Sequence, residues 1–171
     1  LQAIDIDAHA GQIITTVGAT QALDIISRTL LKAGDTVMVE EPGWAVEFAR
    51  LAALGMRILP VPRGPDGPDL AVMARYCEAH AGTAQAPRLF VSVSVLHNPT
   101  GASDFWIAED DSYCHLAPEH ATRLSMLDGL QRSIYVGGFA KILAPGWRVG
   151  FLAAPPALVE PLLDTKLLAT L

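Results

Sequence analysis

An α/β fold, with a mainly parallel sheet covered on both faces as a three-layer α/β/α sandwich, is the architecture predicted by this 171-residue sequence. Three observations predict it. Short apolar runs of β type alternate with stretches whose apolar residues recur at helical spacing, the order that builds parallel strands joined by crossover helices. The strand-like runs end in turns rich in Gly, Pro, Asn and Asp, so polar residues collect at the strands' carboxyl ends, where ligands bind in open α/β sheets. With 51% hydrophobic residues and a mean hydropathy of +0.33, the chain has the apolar content for one sizeable core.

That content is high for an independent unit. The chain starts at Leu1 and closes in the apolar run Leu167-Leu168-Ala169-Thr170-Leu171, and both ends read as cut. A net charge of −6 argues against nucleic-acid binding by this segment. Cys77 and Cys114 are too few and too unpatterned for a disulfide framework or a zinc site, so a reducing, cytoplasmic setting is expected. No leader-like stretch, membrane-length apolar run or internal repeat is found.

Taken in order, Gln12 to Val17 reads as the first strand, closed by Gly18. Ala19 to Lys32 follows as a helix, with Ala22, Leu23, Ile26, Leu30 and Leu31 on one face and Gly34 as its stop. The Gly18-Ala19-Thr20 junction has small residues and free helix-start amides that suit an anion, although most such turns bind nothing. Thr36 to Glu40 is the second strand, ending in Glu41-Pro42-Gly43-Trp44. Trp44 either offers a flat face to a planar ligand or packs as the first core residue of the helix Ala45 to Leu54. Met56 to Val61 is a short strand, Arg63 to Pro68 an irregular surface loop, and Leu70 to Ala81 a helix.

Arg88 to Leu96 is strongly β-type and runs into His97-Asn98-Pro99-Thr100-Gly101. Phe105 to Ala108 forms another strand, ending in Glu109-Asp110-Asp111-Ser112-Tyr113. Three consecutive acids repel one another, and they serve a cationic ligand, a metal or a solvated loop. His115 and His120 lack a metal-ligand spacing to them, which makes a metal the weakest of the three. The strand Ser133 to Val136 feeds Gly137-Gly138-Phe139-Ala140-Lys141, and Arg148 stands seven residues further on. Lys141 is flanked by Phe139, Ala140, Ile142 and Leu143. Desolvation in such company disfavours an ammonium and frees an amine nucleophile; the alternative is a lysine that snorkels to solvent. In the final helical run, Pro156 to Leu171, the interior Pro161 costs about 3 kcal/mol, and a break near Val159 is expected.

These features fall on one edge of one sheet. An anion cradle, an aromatic plate, a polar turn, a carboxylate, an amine and a guanidinium are together what pyridoxal 5′-phosphate requires. Their order resembles the fold-type I pyridoxal-phosphate enzymes, specifically the class I and II aminotransferases, over nearly the whole chain from Gln12 onward. The resemblance implies that Lys141 is the Schiff-base lysine and that Arg148 binds cofactor phosphate with the Ala19-Thr20 turn. It also implies that Trp44 stacks on the ring, that Asn98 and Tyr113 contact the ring oxygen, and that Asp110 pairs with the pyridinium. In that role Asp110 has a lowered pKa, because the adjacent ring is positive. The implied reaction moves an amino group between an amino acid and a 2-oxo acid, with the Lys141 amine carrying the proton between Cα and the cofactor carbon.

The Glu-Asp-Asp form and the Lys-to-Arg spacing are most similar to the aminotransferase-like domains of MocR-type regulators, which are fused to a winged helix, and their free-standing relatives. An effector-sensing domain of a transcription regulator and a decayed, non-catalytic homologue are therefore the alternative readings. On the first of these, nucleic acid is met only through a fused DNA-binding domain before Leu1. Where the family has hydroxyl residues three before and one before the lysine, this chain has Gly138 and Ala140. The resemblance implies that residues 1–171 are a partial large domain, without the N-terminal segment and the C-terminal small domain, and that the site is built in a homodimer. A crossover helix expected near 103–104 is missing, since only Gly101 to Asp104 separate the Asn98 turn from the next strand.

Overall fold

A computed structural model describes residues 1–65, 67–93, 105–114 and 121–170. The strands are β1 (Ile13–Thr16), β2 (Thr36–Glu41), β3 (Arg57–Gly64), β4 (Gly67–Pro68), β5 (Pro87–Val93), β6 (Trp106–Asp110), β7 (Ser133–Gly138) and β8 (Gly150–Ala153). The helices are α1 (Gly18–Leu30), α2 (Ala45–Ala53), α3 (Leu70–His80), α4 (Leu124–Asp128) and α5 (Pro156–Thr170). The strands form one sheet in the order β1-β8-β7-β6-β5-β2-β3-β4. Its centre, β7 to β3, is parallel, while β8 and β1 close one edge and β4 the other in antiparallel pairing.

Strand pleat sorts the core into two sides. Val37, Val39, Leu89, Val91, Ala108, Ile134 and Val136 pack with the buried faces of α1, α2 and α5. Their sequence neighbours Met38, Phe90 and Ile107 join Met73 of α3 and Leu124 of α4 on the other side. Tyr135 packs there too, with Ile6 and Leu130. This period of two, running through four adjacent strands buried on both faces, produces the three layers.

Several expectations change. The stretch read as an irregular loop, Arg63 to Pro68, is paired at both its ends: β3 continues to Gly64 and pairs with β4 through Arg63–Pro68 and Gly64–Gly67. Pro161 does not break the last helix, since α5 is continuous from Pro156 to Thr170. Proline removes one helical N–H, and the burial of Leu162, with Leu158 and Val159 packed on the same core, offsets that loss. The run Gly150 to Ala153, not read as a strand from the sequence, pairs with β7 and β1. The expected gap near 103–104 lies outside the described residues. Even so, β6 pairs parallel to β5 with Asp110 opposite Val93, so Asp110 reaches the edge on which β5 ends.

One close approach sets where the sheet edge meets α1. A Cβ on Gly150 would lie 2.6 Å from the carbonyl carbon of Gly18 and 2.8 Å from its Cα. Gly18 itself has φ +76°, a conformation that L side chains rarely adopt. Glycine at both positions lets the amino end of α1 sit directly against the start of β8.

Gly150→Ala is therefore expected to destabilise the fold by about 1–3 kcal/mol, the usual range for overpacking. Gly146→Ala, whose added methyl meets nothing within 4 Å, is expected to stay within about 0.5 kcal/mol. Urea unfolding of both variants checks the contrast, and equal midpoints would refute it.

Candidate functional site

At the carboxyl ends of the parallel strands, the turns and helix starts leave a cleft of about 300 Å³. Ala19 and Thr20 reach it from the first turn of α1, Trp44 from the turn after β2, and Asp110 and Tyr113 from the end of β6. Lys141 and Arg148 line it from the loop between β7 and β8. Seven of the eight residues singled out from sequence thus share one cleft, contributed by four separate stretches of chain. The eighth, Asn98, lies outside the described residues.

The three acids separate by pleat. Asp110 lies on the same side of the sheet as Ala108 and α1, and lines the cleft. Glu109 and Asp111 are on the opposite side. Glu109 accepts the α4 amides of Leu124 and Ser125 at 2.7 and 2.8 Å. Asp111 accepts Arg123 Nε at 2.5 Å and the Tyr135 hydroxyl at 3.0 Å. All three are buried, so the solvated-loop alternative does not hold.

Asp110 accepts two bonds from Ser112, from its amide at 3.1 Å and its hydroxyl at 2.5 Å. Burial is the largest influence on its carboxyl and raises the pKa; the Ser112 bonds oppose this, while Glu47 and Asp111 add negative charge nearby. The direction is the reverse of that expected for an aspartate beside a positive ring. The described protein groups bring no ion pair to it, and a lowered pKa there requires a cation from a ligand.

Of the two readings of Lys141, the structure shows the one that reaches solvent. Residues 140–143 form a turn, closed by the amide of Leu143 on the carbonyl of Phe139 at 2.9 Å, and Lys141 is exposed. Ile142 and Leu143 are exposed as well, and the apolar flank read from sequence does not desolvate the amine. Its fixed neighbour is Tyr113, whose ring centroid lies 5.4 Å from Nζ, within cation–π range. Trp44 is 43% exposed and opens α2 as its N-cap, while Phe48 and Leu51 supply that helix's core contacts. Its indole is therefore presented to the cleft rather than used up in packing.

The opposite pole suits an anion. Gln21 Oε1 accepts the amide of the N-cap residue Val17 at 2.7 Å, but among the described residues no side chain takes the amides of Gly18, Ala19 and Thr20, which keep their partial positive charge where Ala19 and Thr20 line the cleft. Arg148 adds a guanidinium, carried on a left-handed residue (φ 48°) that ends a single 3-10 turn. Gly138 lines the wall between them, where a Cβ would meet only ordinary contacts at 3.5 Å or more. Ser112 is the residue that sequence reasoning missed. Its signal was the Asp-x-Ser spacing, which favours this kind of local carboxylate–amide turn.

The family model for aminotransferase class I and II matches residues 4–168. Among curated proteins, the 2-aminoadipate transaminase of Thermus thermophilus is 29% identical over 91% of this chain and 43% of its own length. A probable rhizopine catabolism regulatory protein, MocR, of Rhizobium meliloti is 31% identical over 87% of this chain and 32% of its own. Among solved structures, the α-aminoadipate aminotransferase LysN of Thermus thermophilus, complexed with N-(5′-phosphopyridoxyl)-L-leucine, superposes with a TM-score of 0.79 at 28% identity. That match covers 93% of this chain and 45% of the other. The chain thus spans less than half the length of each of these proteins.

Chemically, the cleft offers a cationic pole, a flat aromatic wall, an amine and a buried acid. Because the folded pKa of Asp110 exceeds its unfolded value, the native state binds more protons between those two values and stability falls as pH rises through that window. Asp110→Asn is accordingly expected to raise the urea midpoint of the protein alone near neutral pH. The gain should shrink as pH falls toward about 4, the ordinary carboxylate range. A gain independent of pH would contradict this account.

Proposed function

The chain belongs to the class I and II aminotransferase family, and we propose that the whole protein moves an amino group between an amino acid and a 2-oxo acid, using pyridoxal 5′-phosphate in this cleft. The observation that carries the proposal is the pairing of a buried carboxylate, Asp110, that has no cationic partner among the described residues, with an exposed amine, Lys141, and a separate anion-binding pole in one cavity. A planar group with a basic ring nitrogen, an aldehyde and a phosphate fits that donor set. When bound, the cofactor supplies an electron-withdrawing ring that weakens the bonds to the substrate Cα.

The residues divide the work. The first-turn amides of α1 at Ala19 and Thr20, with Arg148, hold the phosphate. Trp44 stacks on one face of the ring, and Asp110 holds the ring-nitrogen proton, oriented by its two bonds from Ser112. Tyr113, beneath the Lys141 amine, would bond the ring oxygen, and Asn98, outside the described residues, is assigned the same role by the family resemblance alone. Lys141 Nζ is the amine that would hold the cofactor and, when free, would carry a proton to and from the substrate Cα. Its exposure makes cofactor and substrate, rather than the apolar flank, the source of its desolvation.

We place residues 1–171 within the cofactor-binding large domain. A second copy of the chain is proposed to cover the loop between β7 and β8, where Leu143 and Trp147 are 64% and 69% exposed. Among the described residues no helix is long and apolar enough to cross a membrane, and a cytoplasmic location is proposed. The similarity to MocR favours a second reading, an effector-sensing domain that binds the same cofactor and joins a DNA-binding unit.

Purified protein given pyridoxal phosphate and desalted is expected to keep a visible absorption band that borohydride removes, that Lys141→Ala lacks, and that sediments with a dimer. Turnover of an amino donor would favour the enzyme over the sensor. No retained band in the wild type would leave a non-catalytic homologue. Gly138→Ser, which returns a hydroxyl to the anion pole without a clash, is expected to tighten cofactor binding about tenfold, the effect of one hydrogen bond to a charged group. Unchanged affinity would remove Gly138 from the phosphate site.

A further inference from the structure

On the far side of β6 from the cleft lies a buried polar cluster to which the proposed chemistry assigns no task. Asp111, Arg123 and Tyr135 are each 3% exposed or less. Asp111 Oδ2 accepts both Arg123 Nε and the Tyr135 hydroxyl. Arg123 also donates to the carbonyls of Ala121 at 3.1 Å and Cys114 at 3.4 Å. Asp111 anchors its own backbone through its amide on Val136 O at 2.9 Å.

A buried ion pair is weak evidence for stability, because desolvating both charges offsets most of their attraction and apolar residues of similar volume do as well or better. Burial is indeed the largest influence on both groups. It pushes the Asp111 carboxyl up against the bonds from Arg123 and Tyr135, and it opposes the rise that Asp111 imposes on Arg123. What the cluster does provide is a tie among three segments. Asp111 is the residue after Asp110, Cys114 is the residue after Tyr113, and Tyr135 lies on β7, the strand that leads into the Lys141 turn.

The row of three acids does not itself decide which one faces the cleft. A carboxylate firmly held on the far side does decide it, because pleat then turns its neighbour to the near side. We propose that Asp111, Arg123 and Tyr135 are positioning residues of the cofactor cleft. By fixing Asp111 and the Cys114 carbonyl, they set how Asp110 and Tyr113 stand relative to the β7 turn that carries Lys141. The inference rests on the cofactor reading for its purpose and on the hydrogen-bond geometry for its substance.

The test uses the full chain as wild type, Tyr135→Phe, Arg123→Met and Arg123→Lys, with two readouts. The first is hydrogen exchange of the protein alone, comparing residues 110–114 with β2. The second is titration with pyridoxal phosphate, followed by the visible band. Tyr135→Phe and Arg123→Met are expected to speed exchange at 110–114 while β2 keeps its wild-type protection. They should also weaken pyridoxal phosphate by about 10- to 100-fold, the range for losing a hydrogen bond to a charged group. Arg123→Lys, which keeps the charge but not the fork, should recover part of that affinity.

Wild-type affinity and exchange in Tyr135→Phe would overturn the proposal, as would faster exchange spread equally over β2, which marks a role in global stability only. If Arg123→Met fails to fold, Tyr135→Phe, which keeps the ring's packing, decides the matter. If the wild type forms no band, the cofactor reading fails, and the exchange at 110–114 alone supports or overturns the positioning role.

Discussion

Successive residues of a β-strand point to opposite faces, and at the end of β6 this rule has to accommodate three acids in a row. Glu109 and Asp111 turn toward α4 and the Arg123–Tyr135 cluster, where amides, a guanidinium and a hydroxyl await them. Asp110 turns the other way, toward α1 and the cleft, where among the described residues Ser112 alone bonds it. The chemistry of the cleft depends on that division. A strand end with all three acids solvated would hold no single carboxylate in place, and one with all three paired would leave none for a ligand.

The cleft is polarised by two different physical means. Its negative pole is a side chain kept in a poorly solvating place, a burden on the folded state above the acid's raised pKa. Its positive pole rests on backbone, the uncapped start of α1, brought to the sheet edge because Gly18 and Gly150 have no side chains to hold them apart. Arg148 and Lys141 reach the cleft from one loop, and the Tyr113 ring lies beneath the amine. A ligand carrying both a cation and an anion would span these poles, and its cation would offset the cost of burying Asp110.

Much of this was legible in the chain. The alternation of strand and helix, the turns at Gly18, Trp44 and Asp110, and the lysine and arginine seven residues apart all rest on local patterns that a reader of sequence can see. Ser112 was within reach as well, since its bonds to Asp110 span two residues. The partners of Asp111 were not: Arg123 lies 12 residues away and Tyr135 lies 24 away, and neither carries a local mark of its role. For Lys141 the sequence left a desolvated and a solvent-reaching amine open, and the structure shows the second. Apolar sequence neighbours desolvate a side chain only if the backbone turns them inward, and the 140–143 turn leaves Ile142 and Leu143 outward.

The layered α/β architecture, the residue types gathered at the strand ends and the family they resemble were all set at the level of sequence, because periodicity and turn chemistry act over a few residues. Three outcomes waited on the folded chain: which of three acids faces the cleft, that α5 passes through Pro161 unbroken, and that β8 closes the sheet against the start of α1. Each turns on a contact between segments far apart in the chain: Asp111 with Arg123 and Tyr135, Leu162 with the core of α1, Gly150 with Gly18. Local propensity carries no record of such partners, since a residue's energy at these sites is set by what packing brings to it.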